Sequence, residues 1–471
     1  MVAPFIADTG PAAIWPVILG FIMFALVSVP IFEYTRIASF AGGYYGLAEL
    51  GFGRAAGKFT ALTDYSFYIT VGAANAFFIP WLVIDTTYIL YNVLLPSWSW
   101  ILMGVITLAI TYFMSIRSAK NLGRILLYVT IAMIVIVTGF ILYVIAKSPY
   151  NSVDFINPAT STSGLHGILL ATAIVGFFLF AGYGSALFYS EEAVNAKKTV
   201  WKAVFVGLFI SMAIIDLSVY SELVSVPRSQ YGALVSASIP EITAWVHFIP
   251  PIELFGLNMV IMVVSLIVFG AAGGSAARLL WSLARDDFIK SKWLAQLHGT
   301  KGVPQRAAGV NFVLCLIMQI SVAGAMVFYY GYNANTIATA WFVSGTAATI
   351  FWYLHHFIPE FGLYAYLTKH PIPNFSLIRK IVSELVIPIG GAALFGYTFY
   401  EGIISDSVEP YFAFVIMCLV VTLAIIAYVA YKYKKGELGK SVISYSVSES
   451  IHDSGSGLTQ RPAANKDVRL P

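Results

Sequence analysis

Charge is what this sequence lacks. Only 11% of its 471 residues are Asp, Glu, Lys or Arg, against about a quarter in soluble domains. With 59% hydrophobic residues and a mean hydropathy of +0.81, this excludes a soluble protein and leaves a polytopic membrane protein. Cysteine is nearly absent. Cys315 and Cys418 both fall in apolar stretches without paired spacing, so they read as small hydrophobes and not as a disulfide or metal pair. No basic residue precedes Arg36, so the charged start of a secretory signal is missing. There is no Walker-type phosphate loop, which argues against an ATP-driven pump. Nor do the spans repeat His or Asp at one depth, as an embedded enzyme would need. No cofactor and no nucleic-acid partner are expected.

What is present is a series of apolar runs, and one of them is interrupted. Residues 168–189 are long enough to cross a bilayer. Yet Gly182 and Gly184 flank Tyr183 near the middle of the segment FFLFAGYGSALFYSEE, residues 177–192. Each glycine weakens a helix by about 1 kcal/mol. In hydrocarbon, freed N–H and C=O groups find no water, so a break survives only where protein covers it or a cavity meets it. Two readings fit. In one, the ends of the two half-helices hold the charged ends of a zwitterionic solute. In the other, the glycines let two helices pack closely.

In chain order, a short apolar stub at 2–7 ends in the turn of Gly10 and Pro11. Full spans follow at 12–32, 65–94, 100–114, 125–145, the interrupted 168–189, 200–220, 254–283, 308–330, 337–354, 381–400 and 413–431. Residues 1–432 form the membrane domain, and 433–471, polar and rich in Ser and Gly, are expected to be a disordered tail. Taking alternate loops from Arg36 onward, all but Lys147 and Arg228 of the 27 basic residues fall on one side. By the positive-inside bias that side, with the tail, is the cytoplasm. Eleven full spans then put Met1 outside, after a stub too short to cross. The sequence reads as starting inside what should be its first span; the alternative is a true eleven-span chain with an exposed N-terminus. If the stub counts as span 1, the interrupted helix is span 6 and the two longest runs are spans 3 and 8. That five-helix shift is the pattern of inverted repeats, with spans 11 and 12 outside them.

Three stretches resemble the amino acid–polyamine–organocation transporter superfamily. The first is Glu33 with Gly42, Gly43 and Tyr45 after span 2. The second is the interrupted span with Glu191, Glu192, Lys197 and Lys198. The third is SAARLLWSLARDD, containing Arg278 to Asp286, followed by Val303 and Pro304. The resemblance covers about residues 2–432. It implies an all-α fold of five plus five inverted repeats with two further helices, here with a truncated first helix. It also implies a secondary transporter working by alternating access in the cell membrane. Departures bear on the solute. Gly184 stands where many relatives carry glutamate, Ser39 where proline is usual, Ala277 for a serine and Asp287 for a glycine. The lysine that some proton-coupled relatives use is absent from 125–145.

The candidate solute site is Phe180, Ala181, Gly182, Tyr183, Gly184 and Ser185. The missing glutamate favours a neutral amino acid over a cationic amino acid or polyamine. Gating or coupling candidates are Asp216, an interior carboxyl with no evident partner, Tyr68 near the inner end of span 3, and Glu33 at a span end. Asp216 reads as a proton or cation site or as a packing carboxyl, and Tyr68 as a gate or part of an aromatic belt. Glu33, Glu191 and Glu192 are expected to pair with Arg or Lys. His355 and His356 are expected at an interface, since neighbours on a helix point about 100° apart. The partners expected are an amino acid, H+ or Na+ as a coupling ion, and the lipid bilayer. A non-transporting receptor on the same scaffold is the reading from another class.

Overall fold

A computed structural model describes residues 3–37, 43–96, 98–176, 178–180, 182, 184, 188, 196–298, 302–332, 334–369 and 376–442. They are helical almost throughout. In order come α1 (Ala3–Thr9), α2 (Trp15–Ile37), α3 (Tyr44–Phe52), α4 (Arg54–Tyr91), α5 (Ser99–Ser115), α6 (Ala119–Lys147) and α7 (Gly164–Ala171). After the break come α8 (Ala196–Ser225), α9 (Tyr231–Ser236), α10 (Pro240–Trp245), α11 (Pro251–Arg285) and α12 (Gln305–Tyr330). The last are α13 (Ala334–Lys369), α14 (Leu377–Ile381), α15 (Ile387–Phe399) and α16 (Tyr411–Lys434). Helices suit a bilayer because each satisfies its backbone groups within its own segment. Among the described residues eight helices are long and apolar enough to cross. A ninth crossing is offered by Phe5–Ala12 with Trp15–Pro30, bent by 99°. Ser99–Ser115 and Gly164–Phe180 are shorter apolar helices.

Burial sorts these helices. In α4, 78% of the apolar window is buried, and in α13, 67%; in α6 the figure is 6%. Most apolar side chains of α6, among them Leu127, Tyr128 and Val135, face outward, as a lipid-facing helix requires. α4 and α13 form the central pair, with α3, α5, α11 and α12 packed on α4 and with α2, α3 and α16 on α13. Close approach is set by small residues. A Cβ on Gly51 of α3 would overlap the backbone of Gly362 in α13, and one on Gly72 would overlap Cys315 of α12.

The basic residues Arg54, Lys58, Arg285, Lys290, Lys432 and Lys440 gather at one end of the bundle, the basic face. Arg228 pairs with Asp154 at 2.8 Å in the connections that follow α8 and α6.

Two sequence expectations need correction. The span expected at 337–354 runs on to Lys369, which makes α13, at 36 residues, longer than the 35-residue α11. The extra turns carry His355, His356 and Glu360. These are polar but fully buried by protein, so an apolar count ends too early. Length therefore no longer singles out spans 3 and 8. The second correction concerns the tail, expected to be unstructured from 433. The chain stays helical to Lys434, and the segment to Val442 is docked on the basic face with Leu438 and Val442 buried. Residues 443–471 lie outside the described residues.

Candidate functional site

Regular α-helix in the interrupted span ends at Ala171. Thr172–Gly176 form a π turn and Phe178–Phe180 a 3₁₀ turn, and Gly182 then adopts φ +106°, a left-handed conformation that suits glycine. The departure from α-helix thus begins ten residues before Gly182. Glycine makes it possible from both sides: a Cβ on Gly20 of α2 would lie 2.6 Å from the Gly176 carbonyl oxygen, and one on Gly176 would lie 2.7 Å from the Pro16 carbonyl oxygen. The Thr346 hydroxyl of α13 reaches the Ile174 carbonyl at 3.5 Å. Aromatic rings box the 3₁₀ turn. Phe180 lies 6.1 Å from Phe21 and 5.8 Å from Phe24, Phe24 stacks on Trp352 at 4.0 Å, and Phe178 lies 5.8 Å from Trp341. α1 packs on α7, with the Asp8 backbone against Gly167.

Of the expected site residues, Phe180 is buried, Gly182 is half-buried and Gly184 is buried. Ala181, Tyr183 and Ser185 lie outside the described residues, as do Glu191 and Glu192. A Cβ on Gly184 would overlap the hydroxyl of Tyr44. Tyr68 is buried and meets Phe188 edge-on at 5.8 Å. It also lines a cavity of about 30 Å³ between α4, α5, α11 and α12, where Asn75, Thr111, Ser115 and Asn311 supply polar groups. That volume holds about two waters. Glu33 accepts from Arg379 at 2.5 Å. Asp216 is half-buried on α8, and its buried Oδ1 has no hydrogen-bond partner among the described residues.

Directly beneath Gly184 lies a polar cluster that sequence reasoning placed elsewhere. The ring of Tyr44 lies 4.8 Å from that of His355 and 4.1 Å from that of His356. His355 Nε2 stands 3.6 Å from Asp64 Oδ1. Both histidines are buried in the bundle and not interfacial, because α3 covers the face of α13 that carries them. Their adjacency in sequence was visible. Tyr44, with Phe67 and Trp352, covers them, which no periodicity reports.

A second cluster closes the basic face. Tyr45 donates to Asp286 Oδ2 at 2.7 Å, Lys58 donates to the Tyr45 hydroxyl and lies 3.8 Å from Asp286, and Arg285 donates to Asp286 Oδ1 at 3.0 Å. Lys58 and Asp286 are both wholly buried. Burial raises the Asp286 carboxyl, and Arg285 and Lys58 oppose that rise. The docked C-terminal segment completes the cluster. Lys440 N–H donates to the Asp286 carbonyl at 2.6 Å, Arg54 donates to the Gly439 carbonyl at 2.8 Å, and Val442 N–H donates to Glu49 Oε2 at 3.3 Å. Glu49 is raised by burial and pulled back by hydrogen bonds from Ser441 and Val442. Glu437 bonds Lys290 at 2.9 Å and Lys432 at 3.1 Å. Tyr45 and Asp286, each in a stretch that carries the family resemblance, are 241 residues apart in sequence.

Comparison with known proteins bears on the family. A family model described as "Amino acid permease" matches residues 1–448. The low-affinity putrescine importer PlaP of Escherichia coli is 22% identical over 259 residues, covering 52% of this chain and 56% of PlaP. An uncharacterised transporter of Mycobacterium tuberculosis is 25% identical over 242 residues, 49% of each chain. The branched-chain amino acid permease BcaP of Lactococcus lactis is 24% identical over 348 residues, covering 68% of this chain and 72% of BcaP. The chain thus spans about half the length of the first of these relatives.

Proposed function

The chain belongs to the amino acid permease family, and from that premise we propose that it is a secondary transporter moving a neutral amino acid across the cell membrane by alternating access. The observation that carries this is the long departure from α-helix between α2 and α13. The backbone is π-helical at Thr172–Gly176, 3₁₀ at Phe178–Phe180 and left-handed at Gly182, so carbonyl and N–H groups leave the regular ladder inside the bundle. Such groups suit the ammonium and carboxylate of a zwitterion. The aromatic side chains described there are Phe178 and Phe180, backed by Phe21, Phe24 and Trp341, which suits an apolar side chain. Ala181, Tyr183 and Ser185 belong to the same proposed site. Tyr68 is proposed to close it from the basic side, Glu33 to hold α14 through Arg379, and Asp216 to act in coupling.

In this reading the basic face and tail are cytoplasmic, and two five-helix repeats of opposite orientation rock about the break. Cysteines placed at Lys147 and Arg228 should react with an impermeant reagent outside intact cells, and one in the tail should not. A cationic amino acid or polyamine is the second reading, favoured by the buried carboxylates of Asp64 and Glu360. The deciding experiment is counterflow of labelled leucine in proteoliposomes with competitors. Isoleucine and valine are expected to compete and putrescine and arginine not to. The reverse order establishes the second reading, and no counterflow of any amino acid or diamine removes both.

A further inference from the structure

We propose that Asp64 and His355 together hold one proton, and that Tyr44 ties this proton-binding site to the backbone break. The proposal rests on the transporter reading above and names its coupling ion.

The geometry fixes where hydrogen atoms must be. His355 Nδ1 lies 2.9 Å from the Phe351 carbonyl, and a carbonyl only accepts, so Nδ1 carries the hydrogen. In the neutral ring Nε2 is then bare, and it faces Asp64 Oδ1 at 3.6 Å. Neither oxygen of Asp64 has a hydrogen-bond partner among the described residues. Without a further proton, a buried carboxylate faces a nitrogen lone pair, and no described group offsets its lost hydration. One proton removes both penalties. Carried on Nε2 it makes an imidazolium–carboxylate pair; carried on Oδ1 it makes an acid–imidazole pair. Either way the pair becomes net neutral. When the proton leaves, a net negative charge remains in the core.

Among the described residues the surroundings supply no fixed charge to substitute. From α3 the pair is faced by Tyr44 and from α13 by His356, whose Nδ1 lies 2.8 Å from the Trp352 carbonyl. α2 brings Phe24, at Trp352, and α16 brings Cys418, at the Ala347 carbonyl. On α4 itself Lys58 comes six residues earlier and is engaged by Asp286. Further along α13 toward the basic face, Glu360 is fully buried with both oxygens unbonded among the described residues. It lies about 6 Å along the helix axis from His356, which marks a path for the proton toward that face.

Coupling follows from Tyr44. Its ring covers both imidazoles, while its hydroxyl occupies the space where a Cβ on Gly184 would sit. A shift of the backbone at Gly184 therefore shifts the ring that shields the pair. Solute binding at the break and proton binding at Asp64–His355 are linked through one side chain, and such linkage is reciprocal.

The test uses the full chain in proteoliposomes with labelled leucine and an entrapped pH dye. An acid-outside gradient is expected to drive leucine accumulation by wild type, and leucine addition to acidify the lumen. In Asp64→Asn and His355→Gln, the ratio of gradient-driven accumulation to counterflow should fall about tenfold per unit of pH gradient. Asp64→Glu should restore part of it. If Asp64→Asn keeps the wild-type response, or a sodium gradient alone drives wild-type uptake, the proposal is overturned. A second measurement needs no solute: pH-difference infrared spectra of the purified protein in nanodiscs. One titration, seen as a carboxylic acid or imidazolium band, should vanish in both variants. Its persistence in either overturns the proposal. Absence of leucine transport by wild type counts against the transport reading, while the infrared titration still reads the pair.

Discussion

Around 172–184 the chain is held by backbone and rings; at the basic face it is held by charge. The first region packs Gly20 and Gly176 against carbonyls, and its side chains are phenylalanine and tryptophan. The second buries Lys58 and Asp286 completely and encloses them with Tyr45, Arg285 and the C-terminal segment. The difference is one of what a small displacement costs. Aromatic and glycine contacts can slide and re-form without uncovering an ion. A buried ion pair cannot be half-opened, because the charge left behind has lost its water. In the transport reading proposed above, one region must rearrange and one must stay closed until it opens as a whole, and the two kinds of packing divide along that line.

The sharpest way to break the comparison is to remove one member of the buried pair. Asp286→Ala leaves Lys58 without its carboxylate in the core and should destabilise the protein by about 3–5 kcal/mol. Lys58→Met combined with Asp286→Leu should recover much of that loss, since no lone charge remains. Thermal unfolding in detergent, read for both variants, checks this. Equal losses in the single and double variants would mean that the cluster works by packing and not by charge.

Next in size is Gly184→Leu. The side chain would drive into Tyr44 and displace the backbone at the break, and an ångström-scale displacement at a binding site costs on the order of 100-fold. Leucine counterflow should fall by that factor while the protein still inserts and unfolds near the wild-type temperature. Transport at the wild-type rate would show that the break is a packing feature and that the solute binds elsewhere.

These two sites differ in how far the sequence disclosed them. The helical nature of the chain and the positions of most spans follow from apolar runs of helix-spanning length, which a bilayer accepts only as helices. The glycine pair marked the broken span, but not the π turn of Thr172–Gly176 or the 3₁₀ turn of Phe178–Phe180 before it, because no residue type encodes a π turn. Glu33 showed its need for a basic partner; which one, Arg379, depends on how α14 returns to α2. The Asp64–His355 pair was hidden because each residue alone breaks an apolar run, and only the α4–α13 packing makes them neighbours. The docked tail was hidden for another reason. Its composition is that of a disordered segment, and its order comes from backbone groups meeting Asp286, Arg54 and Glu49.

That docked tail offers the third test. Gly439 adopts φ +74°, and a Cβ there would overlap the Asp286 carbonyl. Gly439→Ala combines a left-handed backbone penalty of about 1–2 kcal/mol with that overlap, and the segment should undock. Trypsin should then cut at Lys440 faster than in wild type, with the membrane bundle intact. Unchanged cutting would mean that the segment re-seats in another backbone conformation.

The smallest effect belongs to Glu437, where the lock meets water. Its hydrogen bonds to Lys290 and Lys432 hold the carboxyl down at about 2, from an ordinary value of 4.5. A depressed carboxylate contributes docking strength that is complete above the undocked value and is lost as pH falls through the docked one. Docking should therefore be flat from neutral pH down to about pH 5 and weaken from there toward pH 2. Exposed pairs are screened, so the contribution should also shrink in high salt, unlike that of the buried Lys58–Asp286 pair. Hydrogen exchange of the 438–442 amides, corrected for the intrinsic rate at each pH, measures it. Glu437→Gln at neutral pH and low salt should reproduce the wild-type protection seen at low pH. If it leaves protection unchanged, Gly439 and the backbone bonds to Asp286 and Glu49 hold the segment alone, and charge at this face acts only where it is buried.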